Sequence, residues 1–217
     1  MTVTILLADD HPLIRRGLRT LLETESGFSV VGEAEDGLQA VQLAENLQPG
    51  ILIVDLMMPN LNGLEVLKQV RHRSPKTRMI VLSMQSAEPY VVETFRSGAI
   101  GYVLKDSAPE ELLTAIQQAL IDVRYLSPKL REPLIDMVTK SGGNTKQDPY
   151  ETLTTREREI LQMAAEGKTA PEIAKRLSIS HRTVELHRSR MMNKLGFHSQ
   201  TELVRYALKR GILPKED

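Results

Sequence analysis

The first half of the chain alternates short apolar runs with stretches whose apolar residues recur at helical spacing. This alternation limits the fold more than any other feature. Val3–Ala8, Ser29–Glu33, Ile51–Val54, Met79–Leu82 and Ile100–Leu104 read as strands. Pro12–Leu22, Leu38–Asn46, Leu64–His72, Pro89–Ser97 and Pro109–Leu120 read as the helices between and after them, with Leu64, Leu67 and Val70 forming one such stripe. Strands that alternate with helices of about 10–12 residues predict a doubly wound α/β fold with a five-stranded parallel sheet. The runs are apolar along their whole length, as burial on both faces of a sheet requires.

Helix-start signals divide the rest of the chain. Ser107-Ala108-Pro109-Glu110 reads as a capping box that starts the fifth helix. After Leu120 the pattern weakens: Pro128, Pro133 and the polar stretch Ser141–Asp148 have linker composition, and Ser127–Val138 has room for one short helix. From Leu153 onward the chain reads as all-helical. Three more capping boxes stand there, Thr154 with Glu157, Thr169 with Glu172 and Ser199 with Glu202, while Ser180 caps a further helix without a reciprocal Glu. The small helical core is expected from Leu153, Ile160, Leu161, Ile173, Ala174, Leu177, Val184, Met191, Leu195, Leu203 and Ala207. The expected domains are 1–122, a linker at 123–149, and 150–217.

Composition narrows the function classes. A chain of 217 residues with 41% hydrophobic and 26% charged residues has the make-up of folded domains and suits two modules. With no Cys there is no disulfide framework, thiolate metal site or cysteine nucleophile. Met1–Leu7 lacks a basic leader, and no apolar run approaches a membrane span, so a soluble cytoplasmic protein is expected, with no membrane partner. The net charge of +0 conceals an asymmetry: residues 1–124 hold about 16 acidic against 11 basic side chains, and residues 150–217 about 9 against 13. That polarity points to cation or phosphate chemistry in the first half and a polyanion in the second.

Asp9 and Asp10 stand at the carboxyl end of the first expected strand, and Asp55 at the carboxyl end of the third. Ligands of doubly wound sheets bind outside those ends, where strand order reverses. In the order 2-1-3-4-5 the first and third strands are neighbours, so three carboxylates converge. Such a cluster needs a hard cation to offset its repulsion, and all-oxygen ligation suits Mg²⁺ or its substitute Mn²⁺. Ser83 ends the fourth strand and Lys105 the fifth. A hydroxyl and an ammonium facing Asp55 suit the oxygens of a phosphoryl group carried on that aspartate.

These residues lie in Asp9-Asp10-His11-Pro12, Asp55-Leu56-Met57-Met58-Pro59-Asn60-Leu61-Asn62-Gly63, Leu82-Ser83 and Gly101-Tyr102-Val103-Leu104-Lys105-Asp106. Together they resemble the receiver domains of two-component response regulators, with a flavodoxin-like fold, over roughly residues 1–122. The resemblance implies that Asp55 accepts phosphate from a histidine kinase. It further implies that Asp10, Asp55 and the Met57 backbone carbonyl hold Mg²⁺, with Asp9 assisting directly or through water. Ser83 and Tyr102 correspond to a switch pair, in which the hydroxyl moves to the phosphate and the ring rotates inward. Asp106 departs from the proline that many receivers carry after the lysine.

In the second half, Thr169–Leu177 and His181–Leu195 joined by Ser178-Ile179-Ser180 have helix-turn-helix spacing. With Val184 placed inward, Met191 and Leu195 fall beside it, and Arg182, Leu186, Ser189 and Asn193 share the far face. An exposed leucine among His181, Arg182, His187, Arg188, Arg190 and Lys194 points to contact with double-stranded DNA. The basic groups would anchor phosphates, and Glu185, Leu186 and Ser189 would meet base edges. Thr183 completes the expected contact set.

Leu153-Thr154-Thr155-Arg156-Glu157-Arg158-Glu159-Ile160-Leu161, Ala164-Ala165-Glu166-Gly167-Lys168-Thr169, Glu172-Ile173-Ala174 and Arg182-Thr183-Val184-Glu185-Leu186-His187-Arg188 resemble the LuxR-type effector domain. Joined to a receiver, they make the chain similar to the NarL/FixJ response regulators. The resemblance implies a transcription regulator that catalyses only its own phosphorylation and dephosphorylation. It also implies a homodimer when phosphorylated, paired through Gln200–Arg210. One competing class is a magnesium phosphatase with an aspartyl-phosphate intermediate, but its nucleophile sits in a D-x-D motif, whereas Asp9 and Asp10 are adjacent; the other is an atypical regulator that binds DNA without phosphorylation, against which the complete acidic set and Lys105 argue. The five histidines are not spaced as a metal cluster of their own.

Overall fold

A computed structural model describes residues 2–130 and 149–213. The chain divides into two compact units, one α/β and one helical. In the α/β unit the elements run β1 (Val3–Ala8), α1 (Pro12–Thr24), β2 (Phe28–Ala34), α2 (Gly37–Leu47), β3 (Ile51–Val54) and α3 (Gly63–Arg73). They continue with β4 (Arg78–Ser83), α4 (Glu88–Arg96), β5 (Gly101–Leu104), α5 (Pro109–Leu120) and β6 (Tyr125–Leu126). The strands form one sheet in the order β2-β1-β3-β4-β5-β6, and every pairing is parallel. The β1–β3 adjacency is the reversal of strand order that the expected topology required.

Side-chain alternation along each strand supplies both faces of the sheet. Ile5 and Leu7, Ile51 and Ile53, Ile80 and Leu82, and Val103 pack with Leu22 of α1 and Leu112, Ala115 and Ile116 of α5. The intervening Leu6, Leu52, Val54 and Val81 face the other side and are fully buried. Burying one such side chain is worth about 1.5–3 kcal/mol relative to leaving it exposed, so the uninterrupted apolar strands explain why this sheet is sandwiched.

Two expectations need correcting. The sheet has six strands rather than five: Tyr125 and Leu126 pair with Gly101 and Tyr102. A two-residue strand carries no alternation, so its only signals are tertiary. Its ladder continues as the Ser127 N–H donates to the Tyr102 carbonyl at 3.0 Å. The second correction concerns Ser107, which does not cap α5. Ala108 is the N-cap and Pro109 the first helical residue. The Ser107 hydroxyl lies 3.4 Å from that of Ser127, which is fully buried and donates to Glu111 Oε2 at 2.7 Å. The short helix expected over Ser127–Val138 is described only as far as a 3₁₀ turn at Pro128–Leu130; the remainder lies outside the described residues. The polar stretch Ser141–Asp148 lies there too.

The helical unit holds α6 (Thr155–Ala165), α7 (Ala170–Leu177), α8 (His181–Leu195) and α9 (Gln200–Arg210), preceded by a 3₁₀ turn at Pro149–Thr152. Reciprocal capping boxes start α6 and α9. At α7 the Glu172 carboxylate accepts both the Thr169 N–H and the Thr169 hydroxyl, each at 2.7 Å. Ser180 caps α8 by accepting from the Thr183 N–H at 3.1 Å. Ser178 adopts φ +53°, which ends α7 abruptly and leaves the three-residue turn before α8. The expected core is buried except for Leu195, which is half-buried at the last turn of α8.

Candidate functional site

Each residue of the first site sits at a strand end because an apolar strand stops there. β1 ends at Ala8, so Asp9 and Asp10 begin the loop; β3 ends at Val54, so Asp55 does the same. The backbone ladder carries on one step, with the Asp55 N–H donating to the Ala8 carbonyl at 2.8 Å. It places Asp55 beside the β1 loop. Four groups, Asp9, Asp10, His11 and Asp55, each offer a ligand atom within 4.8 Å of the others. Asp9 is 2% exposed and Asp55 4%, whereas a third of the Asp10 side chain reaches solvent.

Lys105 closes the cluster from β5. Its Nζ lies 2.7 Å from Asp9 Oδ2 and 2.8 Å from Asp55 Oδ2, and its side chain is 6% exposed. Burial pushes the Asp55 carboxyl above its usual range, and the nearby Asp9 charge adds to this, while Lys105 and the Met57 N–H oppose it. Burial alone would lower the Lys105 ammonium, but Asp55 and Asp9 outweigh it and the net shift is upward. One ammonium thus stands among three carboxylates.

Ser83 ends β4, is 1% exposed, and accepts from the Gln85 N–H at 3.2 Å. Tyr102 of β5 is fully buried, and its hydroxyl donates to the Gln85 carbonyl at 2.7 Å. The ring therefore occupies the inward position, beside a site in which Lys105 is bonded to both Asp9 and Asp55. Burial pushes the phenol well above its ordinary pKa, so it remains a donor. Met57 lies two residues past Asp55 in the β3–α3 loop. Gly63 closes that loop: its N–H donates to the Leu56 carbonyl at 2.8 Å, and a Cβ there would stand 2.2 Å from the Asp55 carbonyl oxygen. Only glycine lets α3 start so close to Asp55.

Sequence reasoning missed the place of His11 in this group. Its Nδ1 lies 2.8 Å from Asp10 Oδ1 and 3.3 Å from Asp9 Oδ1, and its N–H donates to Asp9 Oδ1 at 2.9 Å. Adjacency to Asp10 was the available signal.

On the helical unit, α8 buries Val184 and Met191 and exposes Arg182, Glu185, Leu186, Ser189 and Arg190. Leu186 is 49% exposed. Thr183, His187 and Arg188 are half-buried. The Thr183 hydroxyl lies 2.8 Å from that of Ser180, and Arg188 donates to Gln200 Oε1 at 2.6 Å. Lys194 is engaged inside the unit, donating to Glu157 Oε2 at 2.7 Å and to the Thr152 carbonyl at 3.1 Å. The expected DNA-contact residues therefore separate into an open group and a tethered one.

An aspartate cluster bridged by lysine at the strand ends of a doubly wound sheet, in one chain with a helix-turn-helix, defines a response-regulator class of transcription factor. The comparisons agree with the geometry. The model of the response regulator receiver domain matches residues 5–117, and that of bacterial regulatory proteins of the luxR family matches residues 151–207. The nitrate/nitrite response regulator protein NarL of Escherichia coli K12 is 41% identical over 199 residues, covering 92% of each chain. The oxygen regulatory protein NreC of Staphylococcus carnosus is 37% identical over 213 residues, 96% of this chain and 98% of its own. Among solved structures, the RcsB response regulator of Salmonella typhimurium aligns with a TM-score of 0.60 and 28% identity, over 94% of this chain and 97% of RcsB. The chain belongs to the NarL/FixJ family of response regulators, with a receiver domain and a LuxR-type DNA-binding domain.

Proposed function

We propose that Asp55 accepts a phosphoryl group from a sensor histidine kinase, and that the phosphorylated chain pairs with a second copy and grips double-stranded DNA through α8. The observation that carries this reading is the Lys105 ammonium lying 2.7 Å and 2.8 Å from two buried carboxylates at neighbouring strand ends. In this reading residues 1–122 are the receiver, 123–149 the linker and 150–217 the DNA-binding domain. In the same reading the protein works in the cytoplasm; no described helix is long and apolar enough to cross a membrane.

Asp9, Asp10, Asp55 and the Met57 backbone carbonyl are the groups that would hold Mg²⁺ or Mn²⁺. The donor set fits: carboxylate and carbonyl oxygens are the hard ligands such ions take, and the carboxylates outnumber the single ammonium. When bound, the cation neutralises charge on the phosphoryl oxygens. An Asp55 oxygen attacks phosphorus, and the new O–P bond forms as the bond to the donor's imidazole nitrogen breaks, the donor keeping that electron pair. Lys105 moves one hydrogen bond from Asp55 to a phosphoryl oxygen, and the Ser83 hydroxyl donates to another. For the switch pair, the Ser83 hydroxyl would leave the Gln85 N–H for the phosphoryl group, and the Tyr102 ring, buried and bonded to the Gln85 carbonyl, would hold the inward position. The chain's only catalysis is on its own phosphorylation and dephosphorylation.

At the DNA, Arg182, Arg190 and, once freed from Glu157, Lys194 contact phosphates, with His187 and Arg188 at the margin. Thr183, Glu185, Leu186 and Ser189 face the bases. Selection from a random duplex pool tests this. Protein treated with Mg²⁺ and an acyl phosphate is expected to enrich paired half-sites, and Asp55→Asn treated identically to enrich them far less. Equal enrichment by both would sink the coupling of phosphorylation to DNA binding.

A further inference from the structure

The loop that carries Asp9 and Asp10 spans only Asp9–His11 between β1 and α1. Its helix end is unusual: His11 is the N-cap of α1 but makes no side-chain cap hydrogen bond. Asp10 is the most exposed of the three carboxylates, and its Oδ1 lies 2.8 Å from His11 Nδ1 without hydrogen-bond geometry. The Asp9 carboxylate is held by Lys105 at 2.7 Å and by the His11 N–H at 2.9 Å, but neither contact fixes the peptide that joins Asp9 to Asp10.

Arg15, one turn into α1, fixes it. Its Nη1 donates to the Asp9 backbone carbonyl at 2.7 Å, and its Nε donates to Glu33 Oε2 on β2 at 3.2 Å. The Arg15 side chain is 14% exposed, whereas the neighbouring Arg16 is open to solvent. Glu33 is itself clamped from the other side, its Oε1 accepting from Arg19 Nε at 2.6 Å, and Arg19 bonds onward to Glu23 at 2.7 Å. The Arg19 hydrogen bond, foremost among these contacts, holds the Glu33 carboxyl below the usual range, so it stays an acceptor.

The Asp9 carbonyl belongs to the peptide that joins Asp9 to Asp10. That peptide is planar, so a bond to its oxygen sets the direction of the Asp10 N–H and the position of the Asp10 Cα. The Asp9 N–H is already fixed by the Ala34 carbonyl at 3.1 Å. Both flanks of Asp9 are thereby anchored to β2, one directly and one through the Arg15–Glu33 pair. The guanidinium suits this because its planar fork meets two acceptors at a fixed angle, which an ammonium does not.

We propose that Arg15, oriented by Glu33, is a positioning residue for the acid pair of the receiver and sets the pocket's affinity for a divalent cation. This rests on the reading that the carboxylate pocket holds such a cation. Two effects of Arg15 oppose each other. As a nearby positive charge it disfavours a cation, and as an anchor of the Asp9–Asp10 peptide it favours one. Partners that orient metal ligands typically change affinity by about 10–100-fold, which exceeds the through-space repulsion from a charge already paired with Glu33. The sign of the effect therefore identifies the role.

The test is a Mn²⁺ titration of the full chain followed by water-proton relaxation, with Mg²⁺ as competitor, alongside acyl-phosphate uptake at saturating Mg²⁺. Arg15→Ala is expected to weaken Mn²⁺ binding by about 10-fold or more. Uptake at saturating Mg²⁺ should stay within about 2-fold, since filling the site restores what weak binding lost. Glu33→Gln keeps the side chain's size while weakening the clamp, so it should lose several-fold in affinity and serves as the reading if Arg15→Ala does not fold. Arg15→Lys should recover part of the loss, and Arg16→Ala should match wild type. Unchanged or tighter Mn²⁺ binding in folded Arg15→Ala, or in Glu33→Gln where that variant stands in, overturns the positioning role. Failure of wild type to bind Mn²⁺ overturns the cation reading of the pocket itself, a separate outcome visible before any variant is made.

Discussion

The two units handle charge in opposite ways. In the α/β unit, Asp9, Asp55 and Lys105 are nearly inaccessible and Lys105 is bonded to both carboxylates, so each is placed by the strand end beneath it. In the helical unit, Arg182, Glu185 and Arg190 stand open on α8, placed only by the face of the helix they share. A buried cluster tolerates no loose partner, because an unpaired charge there costs several kcal/mol. An exposed face gains little from any one pair, and its individual charges are interchangeable until a ligand arrives. The buried site is therefore specified by position, and the open one by composition.

Substitutions that probe position should have the largest effects. Leu52→Ala removes a fully buried side chain from β3 and should cost about 2–5 kcal/mol, lowering the unfolding midpoint of the α/β unit by roughly 10 °C or more. Calorimetry that shows one transition falling while a second stays would confirm that the damage is confined. A single transition shifted as a whole would break the comparison. Gly63→Ala sets a Cβ against the Asp55 carbonyl and should cost about 1–3 kcal/mol. The displacement should also slow phosphoryl uptake by at least about 10-fold, since a misplacement near 1 Å costs up to about 100-fold. Normal uptake in Gly63→Ala would show that Asp55 tolerates movement.

Smaller effects sharpen the other side. Thr154→Ala removes the hydroxyl that accepts from the Glu157 N–H and should cost about 1 kcal/mol, read as a lower midpoint for the helical unit with phosphoryl uptake unchanged. Leu186→Ala should change stability by less than about 0.5 kcal/mol, because the side chain is already half in water. Its effect belongs in DNA sequence preference, measured by selection. Arg190→Ala should weaken DNA binding roughly evenly across sequences and reduce the salt slope by about one unit. A loss at one base position alone would make Arg190 a base reader.

Much of this arrangement was legible in the residues. Asp9, Asp10, Asp55, Ser83 and Lys105 could be placed because each follows an uninterrupted apolar strand, and a strand's end shows plainly in sequence. The outward face of α8 was legible because Val184 and Met191 repeat at helical spacing. What escaped depends on contacts between distant segments. The β6 strand is two residues long and exists only as a partner for β5. Ser107 has the sequence of a cap, yet lies against Ser127, some 20 residues on. Arg15 reads as one more basic residue on an exposed helix until Glu33 is seen beside it. Lys194 counts toward the basic face by composition, although Glu157 already holds it.

The central claim is that Asp55 takes the phosphoryl group. Wild type and Asp55→Asn, incubated with Mg²⁺ and a small acyl-phosphate donor, can be separated on a phosphate-affinity gel. The account predicts a retarded band in wild type that is absent from Asp55→Asn. An equally retarded band in both would place the phosphoryl group elsewhere and contradict it.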